Sequence, residues 1–272
     1  MSGLWAPFEF EFFRQGFAMA VLAGALCGLI GTFVVLRHMS YLGHGLSHAV
    51  FGGAAVGSVM GIGYYLAAGT WGLAAALLIG RASRRRVLHA DAMIAVVTAA
   101  SFAAGVAALS RWGQARRGIE AVLFGAILGV QPHDLIVVTT ILIVTAVVLA
   151  VAYRPLLFAA FDPEAARSCG TRVDRLDDLL MVMLALAVLA TMQVVGAVLV
   201  SATLVMPAAS VRLVTNRFGP MLIASTILGA ATGAVGMIAS YHLDVPSGAA
   251  MTLVAAIGFV VAWSSAVIRG RV

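Results

Sequence analysis

The chain alternates between long apolar stretches and short polar segments. A helix needs about 20 apolar residues to cross ~30 Å of hydrocarbon. Seven stretches meet this length closely enough to be candidate spans, near residues 17–36, 43–61, 63–80, 92–110, 135–153, 219–240 and 248–268. The pattern predicts an all-α, polytopic membrane helical bundle, with residues 1–272 forming a single transmembrane domain.

An eighth apolar stretch, 179–211, is ambiguous. At ~1.5 Å per residue it would form a helix of ~50 Å, too long for one span and slightly short for two. A hairpin turning near Gln193 places 13 arginines inside and 4 outside, as the positive-inside rule favours. We therefore expect nine spans, with the N-terminus outside and the C-terminus inside. Eight spans are the alternative.

Composition agrees with a membrane protein, with 62% hydrophobic residues, 10% charged residues and a mean hydropathy of +1.05. All 17 basic residues are arginines, in short clusters between apolar stretches. They indicate topology and not a nucleic-acid surface. Cys27 and Cys169 lie far apart and predict neither a disulfide framework nor a cysteine zinc site. Residues 1–16 carry Glu9 and Glu11, the wrong charge for a signal peptide, and predict an amphipathic interfacial segment.

Glycine is abundant inside the predicted spans, often at small-xxx-small spacing that lets helix backbones approach closely. Such pairs include Gly24 with Gly28 and Gly229 with Gly233. This spacing predicts a tightly packed bundle but indicates no particular function.

Two histidines interrupt the start of the second span. His44 and His48 are four residues apart, so a helix places both imidazoles on one face. Two imidazoles one turn apart can bind one transition metal ion, with zinc–nitrogen distances of ~2.0–2.1 Å. If the helix begins near Ser40, the pair lies roughly 6 to 13 Å along it, at membrane depth.

A simpler interpretation is that these polar residues only form hydrogen bonds between helices. Intramembrane polar residues are nevertheless candidates for function, and we favour metal contact. A zincin protease helix would need a glutamate after the first histidine, where this chain has Gly45. Hydrolysis at this pair is therefore not expected.

A second segment predicts a short, rigid cytoplasmic helix between long spans. Asp162 is a suitable N-cap, and Pro163 fits the first position of a helix. The negative charge of Glu164 complements the helix dipole, and Gly170 can end the helix. An ordinary capped loop helix would have the same sequence pattern. The strict capping of this segment favours a rigid element that docks on another protein.

Other polar positions give weaker predictions. Pro207 favours a kink in its span and is a possible gate residue. Asp244 is expected to cap the last span or to act as a second gate residue. Residues 131–134 predict an external turn that caps the fifth span. The sequence contains no P-loop, so ATP hydrolysis would need a separate chain.

Four blocks of the sequence resemble the permease subunits of zinc and manganese ABC importers, and they occur in the same order over nearly the whole chain. They are residues 37–50, with Arg37-His38-Met39-Ser40-Tyr41-Leu42-Gly43-His44 and Leu46-Ser47-His48-Ala49-Val50; Phe161-Asp162-Pro163-Glu164; Val195 to Ser201 leading to Pro207-Ala208-Ala209; and Leu243 to Gly248.

The resemblance implies a type II ABC importer-like permease in a bacterial-type plasma membrane. His48 matches the family's metal histidine, whereas His44 stands where the family usually has aspartate, so metal preference is open. Residues 161–170, with Phe161, Asp162, Pro163, Glu164, Arg167 and Gly170, match the coupling helix that docks on the ATPase.

The implied partners are cytoplasmic ABC ATPase subunits, an extracytoplasmic metal-binding protein and a second permease chain, a homodimer by first expectation. No permanent cofactor and no nucleic acid are expected. The transported ion would be zinc by first choice, because imidazole suits it, with manganese or iron next. The alternatives are an ABC permease for a chelated metal or vitamin, and a secondary cation transporter, although the predicted spans contain essentially no acidic residues. A membrane scaffold would leave the histidine pair unexplained.

Overall fold

The computed structural model describes residues 6–84, 90–112, 123, 125 and 129–270. All regular elements in these ranges are helical, beginning with a 3-10 turn at Ala6–Glu9. The helices are α1 (Glu11–Leu36), α2 (Ser40–Met60), α3 (Tyr64–Arg84), α4 (Ala90–Trp112), α5 (Pro132–Val151), α6 (Tyr153–Phe161), α7 (Pro163–Ser168), α8 (Val173–Val195), α9 (Val200–Val214), α10 (Phe218–Leu243) and α11 (Ser247–Ile268).

The predicted all-α membrane architecture is confirmed. Each predicted span corresponds to a helix, and within the described residues seven helices are long and apolar enough to cross a membrane. Two further helices belong to the same bundle. The 21-residue α2 is less apolar because it contains the histidine pair, and the 15-residue α9 is only ~22 Å long.

The interfacial segment predicted for residues 1–16 is wrong in extent. Helix α1 already begins at Glu11, so residues 11–16 extend the first span. Phe8 in the preceding turn packs edge-on against Phe13 and Phe17 of α1, with ring centroids 5.1 and 5.0 Å apart. This aromatic packing fixes the turn against the helix, which charge patterning alone did not indicate.

The ambiguous stretch 179–211 divides into two helices. Helix α8 ends at Val195, Gly196 adopts a left-handed φ of 87°, and α9 begins at Val200. The break lies three residues after Gln193, where the turn was expected. Gly196 and Ala197 are buried, as non-helical backbone at membrane depth must be.

The two helices run in opposite directions between the ends of the bundle. At one end, Arg37 after α1 pairs with Asp177 near the start of α8. Phe218, which follows α9, packs against Phe33 of α1 at this same end. At the other end, the Ser247 hydroxyl of α11 donates a hydrogen bond to the carbonyl of Val194, near the end of α8. The arginine-rich end is therefore the predicted cytoplasmic end.

Close glycine packing joins α1 to α10, as the small-xxx-small spacing predicted. A Cβ added at Gly24 would lie 2.1 Å from the carbonyl oxygen of Gly229, and one added at Gly233 would lie 2.1 Å from that of Ala20. Because both contacts are to backbone, no side-chain rearrangement could relieve them. These two helices touch through their main chains.

Candidate metal site

The histidine pair lies on the first turns of α2, which begins at Ser40 as expected. The rings of His44 and His48 stand edge to face, with centroids 4.7 Å apart. They line a cavity of about 300 Å³ between α2 and α4. Its other lining residues are Tyr41, Gly45, Ile94, Ala95, Thr98, Ala99 and Phe102. The structure thus brings both predicted ligands into one pocket.

Close packing of α2 on α4 makes this pocket. The Ser47 hydroxyl donates a hydrogen bond to the backbone carbonyl of His44, three residues earlier on α2, at 2.8 Å. A Cβ added at Gly45 would lie 2.5 Å from Ile94 Cγ2 and 2.8 Å from Thr98 Oγ1. Gly45, which stands where a protease motif would have glutamate, therefore has a role in packing. It lets α4 approach the histidine-bearing turn.

Neighbouring helices orient the two imidazoles differently. Nδ1 of His44 lies 3.4 Å from the hydroxyl oxygen of Ser201 at the start of α9. A hydrogen bond to Nδ1 leaves Nε2 available as a ligand, as in many metal sites. His48 packs edge-on against Phe102, with centroids 5.1 Å apart. Its Nδ1 is buried and has no hydrogen-bond partner among the described residues.

The donor set from one chain is small. Two imidazole nitrogens face the pocket, and no cluster of three or more His, Cys, Asp or Glu side chains occurs within the described residues. Metal ions in proteins usually take four or more ligands. The described part of one chain therefore offers half of a tetrahedral set.

Sequence reasoning missed the pocket's α4 wall and Ser201's contact with His44. Thr98 and Phe102 are four residues apart on α4, in a stretch that is otherwise almost entirely apolar. A single threonine in such a stretch is a weak signal. Only the packing of α2 on α4 identifies it.

The predicted cytoplasmic helix is present as α7, capped as expected. The Asp162 carboxylate accepts a hydrogen bond from the Ala165 backbone N–H at 2.9 Å. Pro163 is the first helical residue, and Gly170 follows the helix with a left-handed φ of 82°. Arg167 donates to Asp174 of α8 at 3.3 Å. The segment is tied to the following helix.

The bounds predicted for this helix need one correction. Phe161 belongs to α6, a nine-residue helix that the apolar pattern did not separate from the fifth span. Phe161 is 66% exposed, whereas Ala159 of α6 and Ala166 of α7 are buried together with Val173 of α8. The three helices therefore share a small core, and α7 is held rigidly on the bundle.

The two possible gate residues lie away from the pocket. Pro207 is buried inside α9. Asp244 is exposed and ends α10 in the left-handed conformation, with φ 53°. The prediction that Asp244 caps the last span is wrong, because α11 begins at Ser247 with Pro246 as N-cap. Asp244 instead lines a cavity of about 470 Å³ at the predicted external end, beside Phe12 and Phe13.

A polar cluster at the external end was only partly predicted. Residues 131–134 do cap α5, where the Gln131 backbone N–H donates to the Asp134 carboxylate at 2.8 Å. Asp134 is buried and also accepts from the Tyr65 hydroxyl at 2.7 Å. Gln193 of α8 lies 3.4 Å from the same hydroxyl. The cluster joins α3, α5 and α8 at the predicted outer face.

Comparison with known proteins shows where this architecture occurs. The family model described as "ABC 3 transport family" matches residues 9–266. The manganese transport system membrane protein MntC of Listeria monocytogenes is 35% identical over 255 residues, covering 94% of this chain and 91% of that protein. The chelated iron transport system membrane protein YfeC of Yersinia pestis is 32% identical over 245 residues, covering 90% of this chain and 83% of that protein.

The fold also matches solved structures. PsaBC from Streptococcus pneumoniae in complex with Fab aligns with a TM-score of 0.85 and 29% identity, over 93% of this chain and 91% of that one. An inward-facing metal-chelate type ABC transporter aligns with a TM-score of 0.73 at 17% identity, a likeness of fold alone. The chain therefore belongs to the ABC 3 transport family, as a multi-pass permease of the ABC transporter class.

Proposed function

We propose that this permease conducts divalent transition metal ions into the cell, through a site that contains His44 and His48. The observation that carries the proposal is the pair itself, two imidazoles with centroids 4.7 Å apart in one pocket on the first turns of α2. Side chains of this type inside a membrane mark ion pathways. The names of MntC and YfeC, which refer to manganese and chelated iron, support a metal substrate.

Zinc is the first choice for the ion because both donors are nitrogens. Imidazole suits zinc, whereas manganese prefers carboxylate and other oxygen ligands. Among the described residues, no carboxylate lines the pocket. Manganese and iron are the second candidates, favoured by the relatives' names.

Two imidazoles in the pocket support a bare ion as the substrate over a chelated metal or a vitamin, because they can bind the ion directly. Such ligands would need a wider passage. A secondary transporter would be expected to carry acidic side chains beside the cation site for coupling. The described residues that line the pocket include none, and α7 has the capped, surface-held form of a docking helix.

ATP hydrolysis, which drives transport in this proposal, takes place on other chains. Residues 161–170 dock on cytoplasmic ATPase subunits, and Phe161, Glu164 and Arg167 offer exposed side chains for that contact. An extracytoplasmic metal-binding protein delivers the ion at the opposite end. A second copy of the permease completes the pathway.

The test is metal uptake into vesicles that contain the permease and its ATPase. His48→Ala should abolish ATP-dependent uptake of radioactive zinc and manganese. His242→Ala is the matched control, since this exposed imidazole at the end of α10 bonds only to the Ile238 carbonyl within its own helix. Wild-type uptake of either ion by the His48 variant would refute the site.

A further inference from the structure

One arginine differs from the others in its surroundings. Every other arginine whose exposure the structure describes is exposed, whereas the side chain of Arg37 is only 13% exposed. Its guanidinium pairs with the carboxylate of Asp177, which is 24% exposed. The positive-inside rule accounts for arginines at the surface, but taking an ion pair out of water costs free energy. Membrane topology alone therefore does not explain the Arg37–Asp177 pair.

On the α8 side, the ion pair lies one turn away from the contact with α7. Asp174 and Asp177 are three residues apart, so both carboxylates lie on one side of α8. Asp174 accepts a hydrogen bond from Arg167 of α7 at 3.3 Å. Ala166 of α7 and Val173 of α8 also belong to one small buried core. The start of α8 therefore holds α7 and the end of α1 at the same time.

On the α1 side, the ion pair is attached to the turn that leads into α2. Arg37 is the C-cap of α1. The next two backbone N–H groups, of His38 and Met39, donate hydrogen bonds to carbonyls in the last turn of α1 at 3.3 and 2.8 Å. His38 has a left-handed φ of 55°, so these residues form a Schellman helix ending. Helix α2, which carries His44, begins with the following residue. The link between α1 and α2 is therefore a hydrogen-bonded turn and not a flexible segment.

We propose that the Arg37–Asp177 ion pair carries movement of α7 to the histidine-bearing turns of α2, so that Arg37 is a positioning residue for transport. Displacement can pass between rigid elements that are joined by ion pairs and hydrogen bonds. Movement of α7 shifts the start of α8, the ion pair shifts the turn at residues 37–39, and this turn shifts His44. The roles of α7 and of the histidines rest on the proposed function, but the mechanical link can be measured without a metal ion.

Exchanging the two charges tests the link in vesicles that contain the permease and its ATPase. Arg37→Asp and Asp177→Arg should each lower the number of zinc or manganese ions taken up per ATP hydrolysed at least several-fold, because like charges then face each other. The double exchange restores an opposite pair and should recover most of this ratio. Arg212→Asp is the matched control and should leave the ratio unchanged. Arg212 is exposed at the same predicted end and bonds to Asn216, four residues later.

A neutral substitution separates coupling from folding. Asp177→Asn keeps the size of the side chain and removes its charge, so it tests the link even if a reversed charge prevents folding. It should lower the number of ions per ATP while the recovery of assembled complex stays the same. A pair with only a structural role would lower recovery and leave the ratio unchanged. That result, or an assembled double exchange that stays uncoupled, would overturn the proposal.

A spin label measures the movement without any metal ion. Cys27 and Cys169 are first replaced, and a nitroxide is attached at Ser40→Cys, an exposed position and the first residue of α2. Adding ATP to the complex with the native ion pair should change the spectrum of the label. The change should be lost in Asp177→Asn and regained in the double exchange. No response with the native pair, or an equal response in Asp177→Asn, would overturn the proposal.

The two proposals can fail separately. If the label responds to ATP only when the ion pair is present but the vesicles take up neither zinc nor manganese, the link stands and the proposed function is wrong. If the ions are taken up and the response of the label does not depend on the ion pair, only the link is wrong.

Discussion

Replacing one glycine between α1 and α10 tests whether main-chain contact holds the bundle together. In Gly24→Ala, the new Cβ would lie 2.1 Å from the carbonyl oxygen of Gly229 and 2.8 Å from its carbonyl carbon. Ordinary contacts of this kind are more than 1 Å longer than the first distance, so the helices must separate by about 1 Å, well outside close packing. Overpacking of this kind costs roughly 1–3 kcal/mol, and rigid backbone on the opposite side favours the upper value.

The same substitution also carries a benefit, because alanine is the better helix former by about 1 kcal/mol. Gly24→Ala should therefore destabilise the fold by about 2 kcal/mol. Gly258→Ala is the matched control, since this glycine lies inside α11 and nothing is within 4 Å of the added Cβ. It should gain the full ~1 kcal/mol.

The assay is thermal unfolding of the detergent-solubilised, fluorescently tagged protein, followed by size-exclusion chromatography after heating. A difference of about 3 kcal/mol between the variants corresponds to a melting-temperature gap on the order of 10 °C, with Gly258→Ala the higher. Equal melting temperatures, or a higher value for Gly24→Ala, would refute close main-chain contact between α1 and α10.

Three further predictions concern selectivity, coupling and topology. His44→Asp replaces a nitrogen donor with oxygen and should shift competitive uptake from zinc toward manganese; an unchanged ratio would contradict His44 as a ligand. Gly170→Val places a β-branched residue at a left-handed φ just after α7 and should uncouple ATP hydrolysis from uptake. Gly270→Val, also at a positive φ but near the C-terminus, should transport normally; equal behaviour of the two would count against α7 as the coupling element. In a cysteine-free background, a cysteine at Gln193 should react with an impermeant external thiol reagent and one at Asn216 should not, and the reverse pattern would reject nine spans.

The sequence predicted those parts of the fold that depend on local chemistry. Hydrophobic length located the helices, and the preferences of Asp162, Pro163 and Gly170 located α7. The spacing of His44 and His48 placed both rings on one face. Each of these predictions needs only residues that are close in sequence.

What the sequence missed depends on contacts between distant segments. Ser201 lies 157 positions from His44, yet its hydroxyl lies beside that imidazole. The wall formed by α4 follows from how closely α2 packs at Gly45. Asp244 was assigned to the wrong helix because a residue between two adjacent spans can end one or begin the next. The left-handed backbone decides this, and composition does not reveal it.

Main-chain contacts hold two groups of helices together, and each group is called a body here. A Cβ added at Gly31 of α1 would lie 2.0 Å from the carbonyl oxygen of Leu204 in α9, so α9 joins α1 and α10 in one body. Gly52 of α2 is likewise in main-chain contact with Ser101 of α4, which forms the second body. Helices that touch through their backbones cannot slide without first separating, whereas side-chain contacts can rearrange.

The hydrogen-bonded contact between His44 and Ser201 crosses from one body to the other. The histidine pair therefore lies at a seam. Any shear between the two bodies would change the orientation of the His44 ring before it disturbed the packing inside either body. If the pair binds the ion as proposed, ion affinity would then depend on the arrangement of the helices.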